Sequence, residues 1–254
     1  MKIGIIITAR LGSSRLARKH LMSVLGEPLL SVLIGRIRNE FALEIKKEQL
    51  TAIIATTSEN ENQAFEQFSN DVIKVFFGSK TNIPLRHRDC MNHHHLDACL
   101  AVDGDDILCS VAGMRLVYES LKSGSTFVAT KGLPFGMNCV GYSKDFLSRS
   151  LMGHENAVLE TGWGRIFTES KAQELLISGI TNNDNLRFTL DYKEDYDFFA
   201  SVIKYFDKRI AQITDLELVD TVIKNQMFEI NRACSDQYWE NFHKALEGER
   251  NDKK

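Results

Sequence analysis

The sequence lacks the features that mark linkers, membrane spans and repeats. Among its 254 residues there are three prolines, and no linker-like tract, low-complexity segment or internal repeat interrupts the chain. No apolar run approaches the ~20 residues that a transmembrane helix requires. A chain of this length forms one large domain or two small ones, and its 43% hydrophobic share is ordinary for a globular protein.

Cysteine is present, but without the spacing that disulfide frameworks or zinc sites require. The five cysteines are an odd number, lie far apart and form no C-x-x-C pair, so we expect buried, reduced thiols. The first residues already follow a strand pattern and carry no signal-peptide features. We therefore expect a cytoplasmic protein.

The chain also lacks a positive net charge. Lysine and arginine number 31 against 34 aspartates and glutamates, which gives a formal net charge of −3. Without an overall basic field, neither a nucleic-acid partner nor a membrane partner is expected. Basic residues cluster only locally, and this favours a small anionic ligand.

Apolar strand patterns alternate with helical patterns along the chain. The predicted strands cover residues 3–8, 51–57, 72–77, 98–102, 126–129, 138–142 and 186–190. The predicted helices cover residues 28–39, 59–68, 83–94, 114–121, 144–151 and 194–206, with two further helical stretches after residue 215. The β-α-β-α order predicts a doubly wound, mostly parallel sheet in a three-layer α/β fold.

A basic loop that follows the first strand is the most informative segment. Arg10, Arg15, Arg18 and Lys19 place four cations within ten residues, and Gly12 lies among them. A loop after a buried strand presents backbone N–H groups to an anion. The spacing is neither that of the P-loop nor G-x-G-x-x-G. The loop therefore predicts a polyphosphate ligand, with a nucleoside triphosphate as the first candidate.

An acidic cluster at residues 103–106 follows the predicted strand at residues 98–102. In doubly wound folds, ligands bind outside the carboxyl ends of the strands. We therefore expect the acidic cluster and the basic loop to meet at one active site. Mg²⁺ binds one or two carboxylates, which the cluster can supply. An acidic turn without a metal role remains the alternative.

The basic loop resembles the A-R-x-G-S-x-R-L-P-x-K signature of sugar nucleotidyltransferases, above all the cytidylyltransferases that activate acidic sugars. Ala17 stands where this family has proline. The sequence is most similar to the branch of spore coat polysaccharide biosynthesis protein F, beside the acylneuraminate and KDO cytidylyltransferases. The resemblance implies the Rossmann-like fold of nucleotide-diphospho-sugar transferases. The matching residues are Ala9, Arg10, Gly12, Ser13, Arg15, Leu16 and Lys19.

Two further segments resemble the metal-binding motifs of the same family. Residues 102–108, V-D-G-D-D-I-L, are similar to G-D-x-P-L, which implies that Asp105 binds Mg²⁺. Residues 187–196, R-F-T-L-D-Y-K-E-D-Y, are similar to R-x-T-L-D-T-P-E-D-Y, which implies that Asp191 is the second ligand. A helix N-cap is the alternative role for Asp191, and Asp195 is expected to open the following helix.

The resemblance implies roles for the other candidate residues. Arg10, Arg15 and Lys19 are the catalytic cations that hold the β- and γ-phosphates of CTP. Trp163 and Arg165 are candidates for binding a sugar face and an acidic group of the acceptor, with a buried tryptophan and a solvated arginine as the alternative. The nucleotide-binding set is Ala9, Gly12, Ser13, Gly104 and Arg86, the last of which matches the basic residue of D-V-L-x-R unless it is a surface arginine.

The implied reaction is the Mg²⁺-dependent transfer of CMP from CTP to an acidic sugar or a related acceptor, with release of pyrophosphate, in surface polysaccharide or glycan biosynthesis. A homodimer is also implied, and we predict a nucleotidyltransferase domain over residues 1–231 and a helical tail over residues 232–254. Three alternatives remain open: use of another nucleoside triphosphate with a sugar phosphate, a nucleotide-sugar glycosyltransferase, and a non-catalytic nucleotide-binding module. The basic loop disfavours the glycosyltransferase, which has no triphosphate to hold.

Overall fold

Nine strands lie in the part of the chain that the structure describes. The computed structural model describes residues 1–167, 171–181 and 185–251. Seven strands form one sheet in the order β5-β4-β1-β6-β8-β7-β9, and β2 and β3 form a small antiparallel hairpin. The strands are β1 Ile3–Thr8, β2 Ser23–Val24, β3 Glu27–Pro28, β4 Leu50–Thr57, β5 Ile73–Gly78, β6 Ala98–Asp103, β7 Phe127–Lys131, β8 Val140–Ser143 and β9 Gln173–Leu176.

Within the described ranges, eight α-helices connect and flank the strands, and short 3₁₀ helices supplement them. The α-helices are α1 Leu29–Glu40, α2 Ala42–Lys46, α3 Ile83–His93, α4 Val111–Lys122, α5 Lys144–Leu151, α6 Lys193–Phe206, α7 Asp215–Lys224 and α8 Cys234–Asn251. The 3₁₀ helices cover Lys19–Leu21, Asn60–Phe68, Trp163–Phe167, Asp207–Ala211 and Met227–Ile230. The structure thus replaces the predicted helix at residues 59–68 by a 3₁₀ helix.

The sheet is buried on both faces, which explains the continuous apolar run of its first strand. β1 pairs in parallel with β4 on one side and with β6 on the other. On one face Ile5 packs with Leu33 of α1 and Val117 of α4, and on the other Ile6 packs with residues of α3 and α5. Strands buried on both faces read as apolar runs rather than alternating patterns. The predicted doubly wound, mostly parallel fold is confirmed.

The predicted strand at residues 186–190 is wrong. Its alternating pattern is real, because Leu186, Phe188 and Leu190 are buried in the core. However, the segment pairs with loops instead of a strand: the N–H of Phe188 donates to Phe135, and the N–H of Leu190 donates to Asp105. A period-two pattern indicates an extended, half-buried backbone, but it does not indicate whether the backbone N–H groups bind a strand or a loop. The sequence analysis also missed β9, an edge strand that is mostly exposed.

The cysteines agree with the expectation of buried, reduced thiols. All five cysteines lie in described segments and are buried, free thiols. In the parts of the chain that the structure describes, no helix is long and apolar enough to cross a bilayer. The domain boundary at residue 231 stays a prediction. Beyond this boundary lies α8, which packs against the carboxyl ends of β1 and β6.

Candidate active site

A cavity of about 460 Å³ lies at the carboxyl ends of β1 and β6. The loop after β1, the end of β6, the first turn of α3, residues 158–163 and the end of α8 form its walls. This places the predicted basic loop and acidic cluster at one site. The lining residues are Thr8, Ala9, Arg10, Ser13, Ser14, Arg15, Lys19, His20, Ile83, Arg86, Asp103, Asp105, Val158, Glu160, Thr161, Trp163, Ala245 and Glu249.

The basic loop is anchored to the sheet by a buried asparagine. The N–H of Leu11 donates to Asn62 Oδ1 at 2.8 Å, and Asn62 Nδ2 donates to the hydroxyl of Thr57 at the end of β4. Arg18 then takes a left-handed conformation with φ of 54° and donates its N–H to the carbonyl of Leu11. Lys19 begins a 3₁₀ turn directly after Arg18. The loop therefore folds back so that Lys19 reaches the acidic side chains.

Lys19 is buried and lies between the two predicted metal ligands. Its Nζ donates to Asp105 Oδ2 at 2.6 Å, to Asp191 Oδ1 at 3.1 Å and to the carbonyl of Leu190 at 2.7 Å. Burial would lower the pKa of Lys19, but the two carboxylates outweigh it and raise the pKa above its usual value. Despite burial, Lys19 and His20 hold the pKa of Asp105 well below its usual range. Lys19 and Asp105 are therefore both charged at neutral pH.

The other two predicted catalytic cations are held by carboxylates at the cavity. Arg15 Nη2 lies 2.6 Å from Asp191 Oδ1, and Arg10 Nη1 lies 2.7 Å from Glu160 Oε1. Both arginines are about one-third exposed, whereas Asp191 is buried beneath the cavity wall. Arginine forks bind phosphate oxygens as well as carboxylates. The exposed guanidinium groups can therefore exchange these partners for a ligand's phosphates.

A buried polar network holds Asp191 in place. Arg187 donates from Nη2 to Asp191 Oδ2 at 2.9 Å and from Nε to Asp195 Oδ1 at 3.0 Å. Asp195 Oδ2 accepts the N–H groups of Asp191 and Tyr192, which forms a capping box at the start of α6. The expected role of Asp195 in opening this helix is confirmed. The N-cap is Tyr192, so the alternative N-cap role for Asp191 does not hold.

The two aspartates form a donor set that fits one divalent cation. A single ammonium, Lys19 Nζ, contacts Asp105 Oδ2 and Asp191 Oδ1, so both oxygens converge on one small positive group. Among the described residues, no group of three or more His, Cys, Asp or Glu side chains is arranged to hold a metal ion. Mg²⁺ is typically held by one or two carboxylates together with waters and substrate phosphates. The site therefore suits a cation that is bound jointly with a triphosphate.

Arg86 presents a buried guanidinium to the cavity. It lies in the first turn of α3, and its Nε and Nη2 donate to the carbonyls of Ser79 and Lys80 at 2.8 and 3.2 Å. Burial lowers its pKa to about 10, so it is still charged at neutral pH. The alternative of a surface arginine does not hold, because Arg86 is 1% exposed. Because both hydrogen-bond partners are neutral carbonyl oxygens, the positive charge of Arg86 stays available to an anion in the cavity.

The small residues of the basic loop have different surroundings. Ala9 and Ser13 line the cavity, whereas Gly12 is exposed beside Glu61 and does not line it. Gly104 is buried behind the cavity, where a Cβ would lie 2.9 Å from the carbonyl oxygen of Thr8. Only a residue without a side chain fits this close approach of β1 and β6.

Trp163 and Arg165 lie on different sides of the cavity wall. Trp163 lines the cavity and packs edge-on against His87 and Phe167. Arg165 does not line the cavity, because its guanidinium donates to Glu249 Oε2 at 2.6 Å and to the carbonyl of Thr161 at 3.0 Å. Of the two predicted acceptor-binding side chains, the structure therefore brings only Trp163 to the cavity.

Sequence reasoning missed several cavity residues. Thr8 ends β1, and its hydroxyl lies 2.7 Å from Nε2 of His87, a buried histidine whose pKa is lowered to about 3 by burial. Glu160 and Glu249 come from distant segments and meet at the cavity only in the folded chain. No motif or residue spacing in the sequence predicts that these two glutamates lie at the cavity. His20 is different: it directly follows Lys19 in the basic loop, and its Nε2 lies 2.8 Å from Asp105 Oδ1.

Comparison with known proteins gives matches over the whole length of the fold. Residues 4–136 match the sequence profile of a family described as cytidylyltransferase. An uncharacterized protein from Methanocaldococcus jannaschii is 25% identical over 238 residues, which are 91% of this chain and 95% of that protein.

Two solved structures share the fold. A cytidylyltransferase from Leptospira borgpetersenii superposes with a TM-score of 0.72 at 20% identity, over 90% of this chain and 96% of that one. A CMP:2-keto-3-deoxy-manno-octonic acid synthetase complexed with CTP gives a TM-score of 0.57 at 14% identity, over 81% of this chain and 99% of that one. At these identities the likeness establishes the fold.

Proposed function

Because this chain belongs to the cytidylyltransferase family, we propose that it transfers CMP from CTP to an acidic sugar or a related small acceptor. The observation that carries the proposal is the meeting of Arg15 and Lys19 with Asp105 and Asp191 beside one cavity. Cations at this site suit a triphosphate, and the paired carboxylates suit the metal that accompanies it. The solved synthetase of the same fold was obtained in complex with CTP.

In the proposed reaction an acceptor oxygen attacks the α-phosphorus of CTP in line with the departing pyrophosphate. The new bond joins that oxygen to the α-phosphorus, and the bond from the α-phosphorus to the bridging oxygen breaks. Arg10, Arg15 and Lys19 hold the β- and γ-phosphates and stabilise the charge that develops on the leaving group. Ala9, Ser13 and Arg86 complete the nucleotide site. Positioning and charge stabilisation supply most of the catalysis in such transfers.

Asp105 and Asp191 would hold Mg²⁺, since one small cation already contacts both of their carboxylates. When bound, a divalent cation neutralises phosphate charge in the transition state and helps to orient the acceptor. Arg187 and Asp195 keep Asp191 oriented for this role.

The acceptor site is proposed to lie against Trp163, whose ring forms part of the cavity wall. Sugar rings commonly stack on the apolar faces of aromatic side chains, and Trp163 offers such a face. We propose a role in surface polysaccharide or glycan biosynthesis, and a homodimer as the assembly. Both follow from the resemblance to sugar-acid cytidylyltransferases.

Pyrophosphate release tests this function. Purified protein is incubated with Mg²⁺ and each of the four nucleoside triphosphates, against a pool of acidic sugars and sugar phosphates. We expect release with CTP and an acidic acceptor, and no release in the presence of EDTA. The variant Asp105→Asn should be inactive, whereas Asp236→Asn on the exposed side of α8 should retain activity.

The outcomes separate the alternatives. Release with a different triphosphate and a sugar phosphate would replace CTP by that nucleotide. Binding of CTP without release for any acceptor would favour a non-catalytic nucleotide-binding module. Hydrolysis of a CDP- or UDP-sugar without use of any triphosphate would favour a glycosyltransferase and contradict the proposal.

A further inference from the structure

The C-terminal helix α8 lies across the cavity and contacts both of its sides. Near its start, the ring of Tyr238 stacks at 4.6 Å over the guanidinium of Arg187 and lies 5.6 Å from that of Arg15. In its middle, Asn241 donates to the hydroxyl of Tyr192 at 2.8 Å. These contacts attach α8 to the side of the site that carries the metal ligands.

The end of α8 attaches to the opposite side through Glu249. Its carboxylate is 9% exposed and accepts hydrogen bonds from the N–H groups of Glu160 and Thr161, the first at 3.1 Å. Its second oxygen accepts from Arg165 Nη1 at 2.6 Å. Arg165 also donates to the carbonyls of Thr161 and Val158. One carboxylate and one guanidinium thus hold residues 158–165 in place.

These contacts connect α8 to the basic loop. Glu160, whose N–H is held by Glu249, uses its own side chain to accept a hydrogen bond from Arg10 Nη1 at 2.7 Å. Arg10 is 38% exposed, and its long side chain has many rotamers to lose when it binds a phosphate. A fixed Glu160 carboxylate reduces that loss, because it holds the guanidinium at the cavity before the ligand arrives.

We propose that α8 is a wall of the active site and that Glu249 is a positioning residue that orients Arg10 through residues 158–165. Its effect on catalysis rests on the proposed function, because Arg10 is assigned there to the triphosphate. In Glu249→Gln the remaining amide oxygen can still accept the two backbone N–H groups, but the NH₂ group then faces the Arg165 guanidinium and cannot accept from it, so residues 158–165 lose the charged partner of Arg165. Hydrogen bonds to charged groups contribute enough that we expect CTP to bind about tenfold more weakly.

Hydrogen–deuterium exchange gives a readout that does not depend on activity. In Glu249→Gln, amides within residues 158–165 should exchange at least about tenfold faster than in the wild type. Glu247→Gln, at an exposed position on the same helix, is the matched control and should leave the exchange unchanged. Equal protection of residues 158–165 in Glu249→Gln and in the wild type would overturn the positioning role.

CTP titration then connects this change to the site. The chain has two tryptophans, so a Trp239→Phe background leaves Trp163, at the cavity, as the reporter. We expect Glu249→Gln to raise the Kd for CTP about tenfold with a smaller change in kcat, and Glu249→Asp to recover part of the affinity. Unchanged CTP affinity in Glu249→Gln, with normal binding by the wild type, would overturn the proposal.

A second variant tests the wall itself without touching Glu249. Ala245 lines the cavity, whereas the neighbouring Lys244 does not, although both positions are exposed. Ala245→Trp should fill the cavity and weaken CTP binding at least about tenfold, whereas Lys244→Trp should not. If Ala245→Trp binds CTP like Lys244→Trp, α8 does not form the wall. If the wild type binds no nucleotide, the proposed function fails, and the exchange experiment still decides the contact of Glu249 with residues 158–165.

Discussion

Replacing Asp195 with asparagine removes a charge on which the orientation of Asp191 depends. The Asp195 carboxylate is fully buried and accepts hydrogen bonds from Arg187 Nε at 3.0 Å and from Asn231 Nδ2 at 2.9 Å. It also accepts the N–H groups of Asp191 and Tyr192 at 2.9 and 3.0 Å. Asparagine has almost the same volume, but its NH₂ group faces these donors and cannot accept from them.

We expect Asp195→Asn to lower the free energy of unfolding by about 3–5 kcal/mol, the range for breaking a buried ion pair. For a chain of this size that corresponds to a fall in Tm of roughly 6–20 °C. Urea and thermal unfolding followed by circular dichroism measure both quantities. Asp197→Asn, on the same helix but paired with Lys193 at the surface, should change stability by less than about 1 kcal/mol. Equal stabilities of the two variants would refute the role assigned to this network.

Three further changes have defined outcomes. Burial lowers the pKa of His87 to about 3. The free energy of unfolding should therefore keep its full value above about pH 6.5 and fall by up to ~1.4 kcal/mol per pH unit below it. Urea titrations at pH 6.5, 5.5 and 4.5 should show a smaller fall for His87→Gln than for the wild type, and an equal fall would contradict the burial argument. Gly136 and Gly153 both have positive φ, but of the two only Gly136 lies so close to facing backbone that an added Cβ would overlap it. In chemical unfolding, Gly136→Ala should therefore lower the free energy of unfolding by about 2 kcal/mol more than Gly153→Ala. Equal decreases would contradict the overlap. Lys19→Ala should weaken CTP binding about 10–100-fold, as measured by calorimetry. A loss of CTP affinity no larger than that of the exposed control Lys122→Ala would contradict the role of Lys19.

The sheet was largely predictable because its strands are short apolar runs between turn signals. β1, β4, β5 and β6 lie within two residues of their predicted bounds, and the burial of β1, β4 and β6 on both faces gives an unambiguous apolar signal. The segment at residues 186–190 has an equally clear pattern, but the partners of its backbone are loops at Phe135 and Asp105. Whether an extended segment pairs with a strand depends on what lies beside it in the fold, which periodicity does not encode.

The candidate site was predictable where its residues come from local motifs. Arg15, Lys19, Asp105 and Asp191 were identified from motifs in three separate segments, and the structure brings them into direct contact. Arg165 belongs to no matched motif, and it binds Glu249 instead of lining the cavity. Its partner lies 84 residues away in α8, and no local spacing relates the two.

The predicted tail shows the same limit. The pattern after residue 231 predicts a helical tail, but it does not predict which surface the helix covers. In the structure α8 packs over the cavity through Tyr238, Asn241 and Glu249. An amphipathic pattern identifies the apolar face of a helix but not the surface that covers it.

The central claim, transfer of CMP from CTP, is tested most directly by following labelled phosphates. The protein is incubated with Mg²⁺, the acceptor pool and CTP labelled on either the α- or the γ-phosphate. The account predicts that the α-label appears in a CMP–acceptor product and the γ-label in pyrophosphate. Release of the γ-label as free inorganic phosphate, with the α-label retained in CDP, would contradict it.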